Sequence, residues 1–362
     1  MINSNFLYQS EATVNQYIFN FVLMNIIFFL NHSLRKSYKT NTYTWLLLLM
    51  FCLFAYWDTD YFTFREIFYT SLNADFRDPL YYYLSLLSFD SYIVFRFYIW
   101  GSALLLLYKT AQRLQINMNM YAFVFATFFL LLFSYPRASL GMAMYFYGLS
   151  CLLSQSKKTS SYLLGIVFIC CSYFGHRSMA LPILFTPLLF VKFNKYTFLI
   201  LLAIGLIIGR YMNSIIPMIT GGSSNESVEA LDKYSQLDET VSYNWKYLLT
   251  ENLKNYGIGI SFIYLICKCY IYKSRIDVAD WCRRLLNVCT GIFIVAISFI
   301  LLGGFGAGIM GYRFLYMLCI PICIIITHLY CNKLCNTRIL YLILLPMILF
   351  SEGFILGKIL SS

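Results

Sequence analysis

Apolar stretches of about 15 to 20 residues recur along the whole chain and alternate with short polar segments. Each stretch is close to the length that a helix needs to cross the hydrocarbon core of a bilayer. The pattern therefore predicts an all-α polytopic membrane protein with about twelve transmembrane helices. The predicted helices occupy residues 13–31, 42–57, 91–108, 119–135, 138–154, 160–175, 178–191, 195–212, 255–272, 285–303, 312–330 and 338–357.

Composition indicates the same class of protein. The 362 residues are 60% hydrophobic and 12% charged, with a mean hydropathy of +0.68. This is too little charge to cover the surface of a soluble domain of that size. The sequence shows no repeat and no pattern of a removable signal peptide, so we expect a single transmembrane domain over residues 1–362. Two connections, 58–90 and 213–254, are much longer than the others.

Charged residues predict the orientation of the helices. Every second loop is rich in Lys and Arg, and these loops contain only two acids, Asp277 and Asp280. By the positive-inside rule they face the cytoplasm, so both termini and both long connections face outward. We call the helix ends on the outward side outer ends and the opposite ends inner ends. The basic residues of the inner loops are Arg35, Lys36, Lys39, Lys109, Arg113, Lys157, Lys158, Lys192, Lys195, Lys268, Lys273, Arg275, Arg283, Arg284, Lys333 and Arg338.

Nucleic-acid binding and metal binding are both disfavoured by the sequence. The net charge of +11 follows from the orientation of the loops, so nucleic-acid binding is not expected. None of the twelve cysteines lies in an outward connection, and Cys331 and Cys335 have no histidine at zinc-site spacing. We therefore expect no disulfide, no metal ion and no other cofactor.

Arginines on the outward side are the strongest indication of a ligand. Arg96, Arg137, Arg210 and Arg313 lie within or at the outer ends of predicted helices, and Arg177 lies between two helices. One arginine at a helix end often only reaches to lipid headgroups. Several together, against the positive-inside bias, favour a shared anionic ligand. Because a guanidinium group donates two parallel hydrogen bonds, a lipid-linked diphosphate fits this pattern.

His176 precedes Arg177 in the stretch SYFGHRSMALP (172–182), within a short turn between predicted helices. The other two histidines, His32 and His328, fall near inner ends. An imidazole titrates near neutral pH, so His176 is a candidate to accept a proton from a sugar hydroxyl. The alternative is a histidine that only hydrogen-bonds the backbone at a helix end.

The long connections carry further candidates. Asp60 is the alternative proton acceptor, and with a second acid two residues earlier it has the spacing of a weak divalent-metal motif. Arg77 and Asp78 are weak candidates for sugar binding, or they pair with each other on a solvated face. Tyr234 and Trp245 offer ring faces for carbohydrate, or they dock this segment on the membrane.

Five short stretches resemble the bacterial polysaccharide polymerases of the Wzy and EpsG type. The first long connection has an Asp-Tyr opening followed by an acid-Pro-aromatic segment. Later helices begin with an arginine before small and apolar residues, and a hairpin ends in an aromatic-x-His-Arg pattern. The stretches are DYFTFREIFY (60–69), DPLYYYLSLL (78–87), PRASLGMAMYFY (136–147), YFGHRSMALP (173–182) and GYRFLYM (311–317).

This resemblance implies a membrane-embedded, lipid-dependent glycosyltransferase that is similar to the GT-C class. Such enzymes join oligosaccharide repeat units carried on undecaprenyl diphosphate at the periplasmic face of the bacterial inner membrane. The expected partners are the lipid-linked donor and acceptor, membrane lipid and a separate chain-length regulator. In this reading Arg137, Arg210 and Arg313 bind the diphosphate, and the growing O-antigen or other surface polysaccharide is transferred onto the incoming unit.

Two other functions stay open at this point. An O-antigen ligase would use the same donor and a similar outward site, but a different acceptor. A flippase of lipid-linked oligosaccharide would also have about twelve helices, although such transporters favour internal repeats and charges near the bilayer midplane.

The predicted orientation can be tested with reporter fusions. Alkaline phosphatase, which is active only outside the cytoplasm, should be active when fused after Gly222 and inactive when fused after Lys158. A reporter that is active only in the cytoplasm should give the opposite result at each site. The reverse pattern at both sites would contradict the orientation.

Overall fold

The computed structural model describes residues 14–34, 42–54, 65, 68–69, 79–133, 136–154, 159–219, 245–271, 278–302 and 304–361. Every regular element within these ranges is a helix, and none is a strand. For this part of the chain the predicted all-α fold class is confirmed.

The described ranges contain fourteen α-helices, two 3₁₀ helices and one π-helical turn. The α-helices are α1 (Val14–Leu34), α2 (Thr42–Phe54), α3 (Pro79–Leu86), α4 (Tyr92–Arg113), α5 (Met118–Phe133), α6 (Pro136–Leu153), α7 (Thr159–Gly175), α8 (Ala180–Phe185), α9 (Lys195–Ile219), α10 (Trp245–Ile266), α11 (Asp280–Leu302), α12 (Gly304–Met317), α13 (Cys319–Cys331) and α14 (Thr337–Ser361). The 3₁₀ helices Arg177–Met179 and Thr186–Phe190 flank α8, and the π-helical turn Cys267–Ile271 ends α10.

Helices occupy all twelve stretches that hydropathy predicts. Among the residues searched within the described ranges, three segments are long and apolar enough to cross a membrane: Tyr92–Arg113, Asp280–Leu302 and Gly311–Cys331. Several shorter apolar helices accompany them. The protein is therefore a helical membrane protein, and the number of twelve crossings stays a prediction.

The seventh predicted helix, 178–191, differs from the expectation of one continuous helix. It consists of the six-residue α8 between two 3₁₀ helices. Pro187 has no N–H to donate to the carbonyl group four residues earlier, and it disfavours α conformation at Thr186, so the α-helix cannot continue. Because a 3₁₀ helix rises about 2.0 Å per residue, the three pieces laid end to end cover about 25 Å instead of about 21 Å.

Two arginines occupy different places in their helices from those predicted. Arg210 was expected to end the eighth helix, but α9 continues to Ile219. Arg313 was expected to begin the eleventh helix, but it lies near the end of α12. Helix α12 ends before Leu318 and α13 begins after it. This break is consistent with Pro321, which has no N–H to donate to the carbonyl group four residues earlier in the chain.

The chain divides into two compact units. The first unit comprises residues 1–183 and 322–362, and the second comprises residues 184–321. Both consist of packed helices in their described parts. The single transmembrane domain that the sequence predicts stays a prediction.

Helix α6 and helix α7 of the first unit form a hairpin with direct backbone contact. A Cβ atom on Gly148 would lie 2.7 Å from the Gly165 carbonyl oxygen, and one on Gly165 would lie 2.9 Å from the Gly148 carbonyl oxygen. At the outer end, a Cβ atom on Gly175 would lie 3.0 Å from the Gly141 Cα atom. Side chains other than hydrogen cannot fit at such distances. In lipid, where apolar surface gains little by burial, close packing of this kind holds helices together.

Contacts between distant parts of the first unit agree with alternating helix directions. At inner ends, the guanidinium group of Arg113 donates to the Ser161 hydroxyl and to the Tyr147 hydroxyl, each at 3.2 Å. The hydroxyl of Tyr341 lies 3.4 Å from Nδ1 of His32, also at inner ends. Neighbouring helices thus bring together the ends that the charge pattern assigns to one side.

Helix α11 is the centre of the second unit. Near its outer end, a Cβ atom on Gly209 of α9 would lie 2.7 Å from the Ser298 carbonyl oxygen. A Cβ atom on Gly311 of α12 would lie 2.6 Å from the Ala296 carbonyl oxygen. One turn of α11 is therefore in close contact with both neighbouring helices.

The inner part of α11 hydrogen-bonds to the end of the 3₁₀ helix Thr186–Phe190. Asn287 Nδ2 donates to the carbonyl oxygens of Val191 at 2.8 Å and Leu188 at 3.3 Å. Arg284 Nε donates to the Leu189 carbonyl oxygen at 2.9 Å. These donors bind carbonyl groups at the end of the 3₁₀ helix, where the Leu188 carbonyl oxygen also accepts from the Val191 N–H at 3.3 Å.

Replacing Gly148 by Ala or Leu should destabilise the protein, because any Cβ atom forces α6 and α7 apart. We expect a lower melting temperature in detergent, with Leu worse than Ala. Gly101→Ala is the matched control: its nearest neighbour would be a flexible ring carbon of Phe97 at 3.8 Å. An alanine there should leave the melting temperature unchanged or raise it. Equal melting temperatures for Gly148→Leu and the wild type would contradict this packing.

Candidate functional site

The α6–α7 hairpin brings two of the resemblance stretches to one outer end. Arg137 is the second residue of α6, and His176 directly follows α7. A Cβ atom on Gly141 would lie 3.2 Å from the backbone nitrogen of His176. Arg137 precedes Gly141 by four residues, or about 6 Å along the helix. The backbones of Arg137 and His176 therefore lie within about one helical turn of the same level.

The turn around His176 is well defined by hydrogen bonds. Its backbone N–H donates to the Ser172 carbonyl oxygen of α7 at 3.0 Å, and its own carbonyl oxygen accepts from the Met179 N–H at 2.9 Å. The imidazole is the N-cap of the first 3₁₀ helix: Nδ1 accepts from the Ser178 N–H at 3.1 Å. The Ser178 hydroxyl oxygen lies 2.7 Å from the same nitrogen. The imidazole is half-buried, and the Arg177 residue beside it is exposed.

Tyr145 holds the chain that follows this turn. Its side chain is fully buried, and its hydroxyl donates to the Pro182 carbonyl oxygen at 2.7 Å. Tyr145 lies two turns after Arg137 on α6, on the same stripe as Gly141. This helix face therefore contacts the His176 turn through Gly141 and holds Pro182 through Tyr145.

Parts of the first long connection pack near the same outer ends. The ring of Phe68, from the stretch 60–69, lies 5.2 Å from the ring of Phe95 at the start of α4. Helix α3, which begins at Pro79, packs against α4 and α7. Tyr81 of α3 is buried and its ring lies 6.2 Å from that of Phe95, whereas Tyr83 is exposed.

Arg96 serves a contact between helices. It is only 3% exposed, and its Nε atom donates to the Cys52 carbonyl oxygen near the end of α2 at 3.0 Å. Its Nη2 atom donates to the same oxygen. Arg96 therefore joins α4 to α2 through this carbonyl group. The role in diphosphate binding that the sequence suggests for Arg96 stays a prediction.

The second unit brings Arg210 and Arg313 to one level of α11. Arg210 directly follows Gly209, which contacts Ser298. Arg313 lies two residues after Gly311, which contacts Ala296. Both arginines are thus within about a helical turn of the same segment of α11. Arg210 is exposed and Arg313 is half-buried.

Several predicted site residues lie outside the described parts of the chain. Asp60, Arg77, Asp78 and Tyr234 are in this group. Trp245 begins α10, and its side chain is likewise outside the description. Their roles in sugar binding or proton transfer stay predictions. Within the residues that were searched, no group of three His, Cys, Asp or Glu side chains is arranged to hold a metal ion.

The sequence analysis missed Tyr145 and Ser178. Both lie inside stretches that carry the family resemblance, but only the fold shows what they contact. Tyr145 is eight residues after Arg137, a helical spacing that places the two on one face. Ser178 is two residues after His176, a spacing at which a side chain commonly accepts from the backbone at the start of a helical turn.

The fold and its arginines define a helical membrane protein with cationic residues grouped toward the predicted outer side of each unit. A model of the EpsG family matches residues 46–357, so the chain belongs to the EpsG family, a family of polysaccharide polymerases of the Wzy/EpsG type. The resemblance inferred from five short stretches is thereby confirmed, and all five lie within the matched range. Helix α1 lies outside it. No curated protein and no solved structure matches the chain.

Tyr145→Phe should destabilise the turn that carries His176, because it leaves the Pro182 carbonyl group without the hydroxyl donor. We expect a loss of about 1–3 kcal/mol in unfolding free energy, seen as a lower melting temperature in detergent. Tyr162→Phe, at an exposed position of α7, is the control and should have no effect. Identical melting temperatures for both variants would show that the Tyr145 hydrogen bond contributes nothing.

Proposed function

We propose that this protein polymerises oligosaccharide repeat units carried on undecaprenyl diphosphate at the periplasmic face of a bacterial inner membrane. The product is O-antigen or a related surface polysaccharide. Membership of the EpsG family supports a glycosyltransferase-like polymerase activity. The identity of the lipid donor is part of the proposal.

The observation that carries this proposal is the grouping of cations toward the predicted outer side of each unit. In the first unit, Arg137 begins α6 beside the turn of His176 and Arg177. In the second unit, Arg210 and Arg313 lie within their helices beside one turn of α11. Close glycine contacts accompany both arrangements. A cation close to the hydrocarbon core is costly, so its retention favours an anionic ligand.

Diphosphate chemistry explains the use of arginine. The guanidinium group stays charged when water is excluded and donates in pairs to phosphate oxygens. At the start of α6, the unpaired N–H groups of the first helical turn add partial positive charge. A polymerase handles two lipid diphosphates in each cycle, one on the donor and one on the acceptor. We propose that Arg137, Arg210 and Arg313 bind these diphosphates, with Arg177 or Arg96 assisting.

The proposed reaction is transfer of the growing chain from its lipid carrier to the incoming unit. The bond between the anomeric carbon and the donor phosphate oxygen breaks, and a bond from that carbon to an acceptor hydroxyl oxygen forms. Undecaprenyl diphosphate leaves, and its charge is stabilised by the bound arginines. The proton of the acceptor hydroxyl passes to a protein group, for which Asp60 and His176 are the candidates.

Sugar contacts, metal independence and a protein partner complete the proposed function. Arg77, Asp78, Tyr234 and Trp245 are proposed to contact the sugar units from the long connections. No metal is proposed to take part. A chain-length regulator is proposed as the protein partner.

Deletion of the gene and reconstitution together test the proposed function. Loss of a polymerase should leave single repeat units capped onto their final acceptor, because the ligase still works. Uncapped lipid-linked units outside would indicate a ligase, and units trapped inside would indicate a flippase. The purified protein should extend the lipid-linked unit that the deletion strain accumulates, and it should continue to do so in EDTA.

Arg137→Ala and Arg313→Ala should each reduce polymer formation by about 10²-fold or more, because each removes a cation from the leaving or bound diphosphate. The measurement is the polysaccharide ladder of the deletion strain that carries each variant, at equal protein level. Arg338→Ala is the control, since Arg338 is an exposed arginine near an inner helix end. Wild-type ladders from both Arg137→Ala and Arg313→Ala would overturn the proposed binding of diphosphate by these arginines.

A further inference from the structure

We infer that His176 serves the transfer reaction as a hydrogen-bond donor to phosphate through Nε2, and that it is not the general base. This inference rests on the proposed function. It follows from the contact between the imidazole and Ser178, a residue that the sequence analysis did not identify.

The hydrogen bond from Ser178 fixes the tautomer of the imidazole. A backbone N–H can only donate, and the Ser178 N–H donates to Nδ1 of His176 at 3.1 Å. Nδ1 must therefore carry a lone pair and no proton. In a neutral imidazole the single proton is then on Nε2, which acts as a donor.

A general base at this position would need the opposite arrangement. To accept a proton on Nε2, the ring must first hold its proton on Nδ1, where it would face the Ser178 N–H. To accept a proton on Nδ1, the ring must give up the hydrogen bond from the Ser178 N–H, and its contact with the Ser178 hydroxyl, whose oxygen lies 2.7 Å away, must reverse direction. Either change breaks the N-cap that begins the 3₁₀ helix Arg177–Met179.

A donor suits the surroundings of His176 better than a base does. Its backbone nitrogen is held 3.2 Å from the position of a Gly141 Cβ atom, about one turn from Arg137. The exposed Arg177 is its neighbour in sequence. Beside arginines that are proposed to bind diphosphate, an Nε2–H group would supply a further donor to phosphate oxygens. Charge grows on these oxygens as the sugar leaves, and a fixed donor then stabilises the transition state.

The proton balance of the reaction assigns the base to another residue. The Nε2 proton of His176 stays on the imidazole throughout, since it is shared in a hydrogen bond and not transferred. The proton of the acceptor hydroxyl then goes to another group, and Asp60 is the candidate that the sequence supplies.

Two isosteric substitutions separate the donor role from the others. In His176→Asn, the side-chain oxygen takes the place of Nδ1 and keeps the N-cap, but no donor stands at the Nε2 position. In His176→Gln, the amide nitrogen reaches the Nε2 position, but the cap is weakened. The variants, with His176→Ala, are purified and assayed for rate of polymer formation from the lipid-linked unit of the deletion strain. Their melting temperatures are measured in the same detergent.

The donor role predicts opposite orders of activity and stability. His176→Gln should keep a rate within about tenfold of the wild type, and His176→Asn should fall about 10²-fold, near His176→Ala. His176→Asn should nevertheless melt at a higher temperature than His176→Gln. A merely structural histidine would make activity follow stability, with Asn above Gln. Equal, severe losses of rate in His176→Asn and His176→Gln would instead support His176 as the general base. Wild-type rates in both variants would show that the His176 side chain has no role in the reaction.

Failure of this inference and failure of the proposed function give different results. If the wild-type protein forms no polymer from the lipid-linked unit, the proposed function itself fails. If the wild-type protein forms polymer but the variants rank in any other order, only the donor role of His176 fails.

Discussion

The close contact of glycine backbones between helices is the constraint on which the arrangement of this protein depends. Apolar side chains gain little by leaving lipid for a protein interior, so helices in a bilayer are held by close packing and hydrogen bonds. Here Gly148 and Gly165 bring α6 and α7 together at one level, and Gly141 and Gly175 at another. Gly209 and Gly311 do the same for the neighbours of α11. The site residues are adjacent to these contacts in the chain.

Polar groups of the first unit fall into two kinds with different purposes. Arg96 and Arg113 bind helix ends and hydroxyl groups, and they join helices that would otherwise slide past one another. Arg137, His176 and Arg177 lie near one another at one predicted outer end, beside the close contact of Gly141 with the His176 turn. Charge close to the hydrocarbon core is costly, which is why this group indicates a functional site.

The sequence predicted the helices well and their irregularities poorly. Hydropathy located all twelve apolar stretches, because a helix in lipid must be apolar over most of its length. It missed α3, which is too short to cross, and the 3₁₀ helices around α8. It also placed Arg210 and Arg313 at helix ends, whereas both lie within helices. Hydropathy averages over a window, so it cannot register where one proline or one carbonyl group ends a helix.

The all-α fold class and the family could be predicted from the sequence alone, because they depend on the kinds of residue present and on their spacing. The outward arginines and His176 could be named for the same reason. The contacts of these residues and their neighbours were decided by tertiary structure. Gly141 packs against the His176 turn, Tyr145 donates to the Pro182 carbonyl group, and Arg96 donates to the Cys52 carbonyl group. The tautomer of His176 also came from structure, since it is set by one hydrogen bond from Ser178. Spacing along a chain specifies which residues share a helix face, but only packing specifies what that face touches.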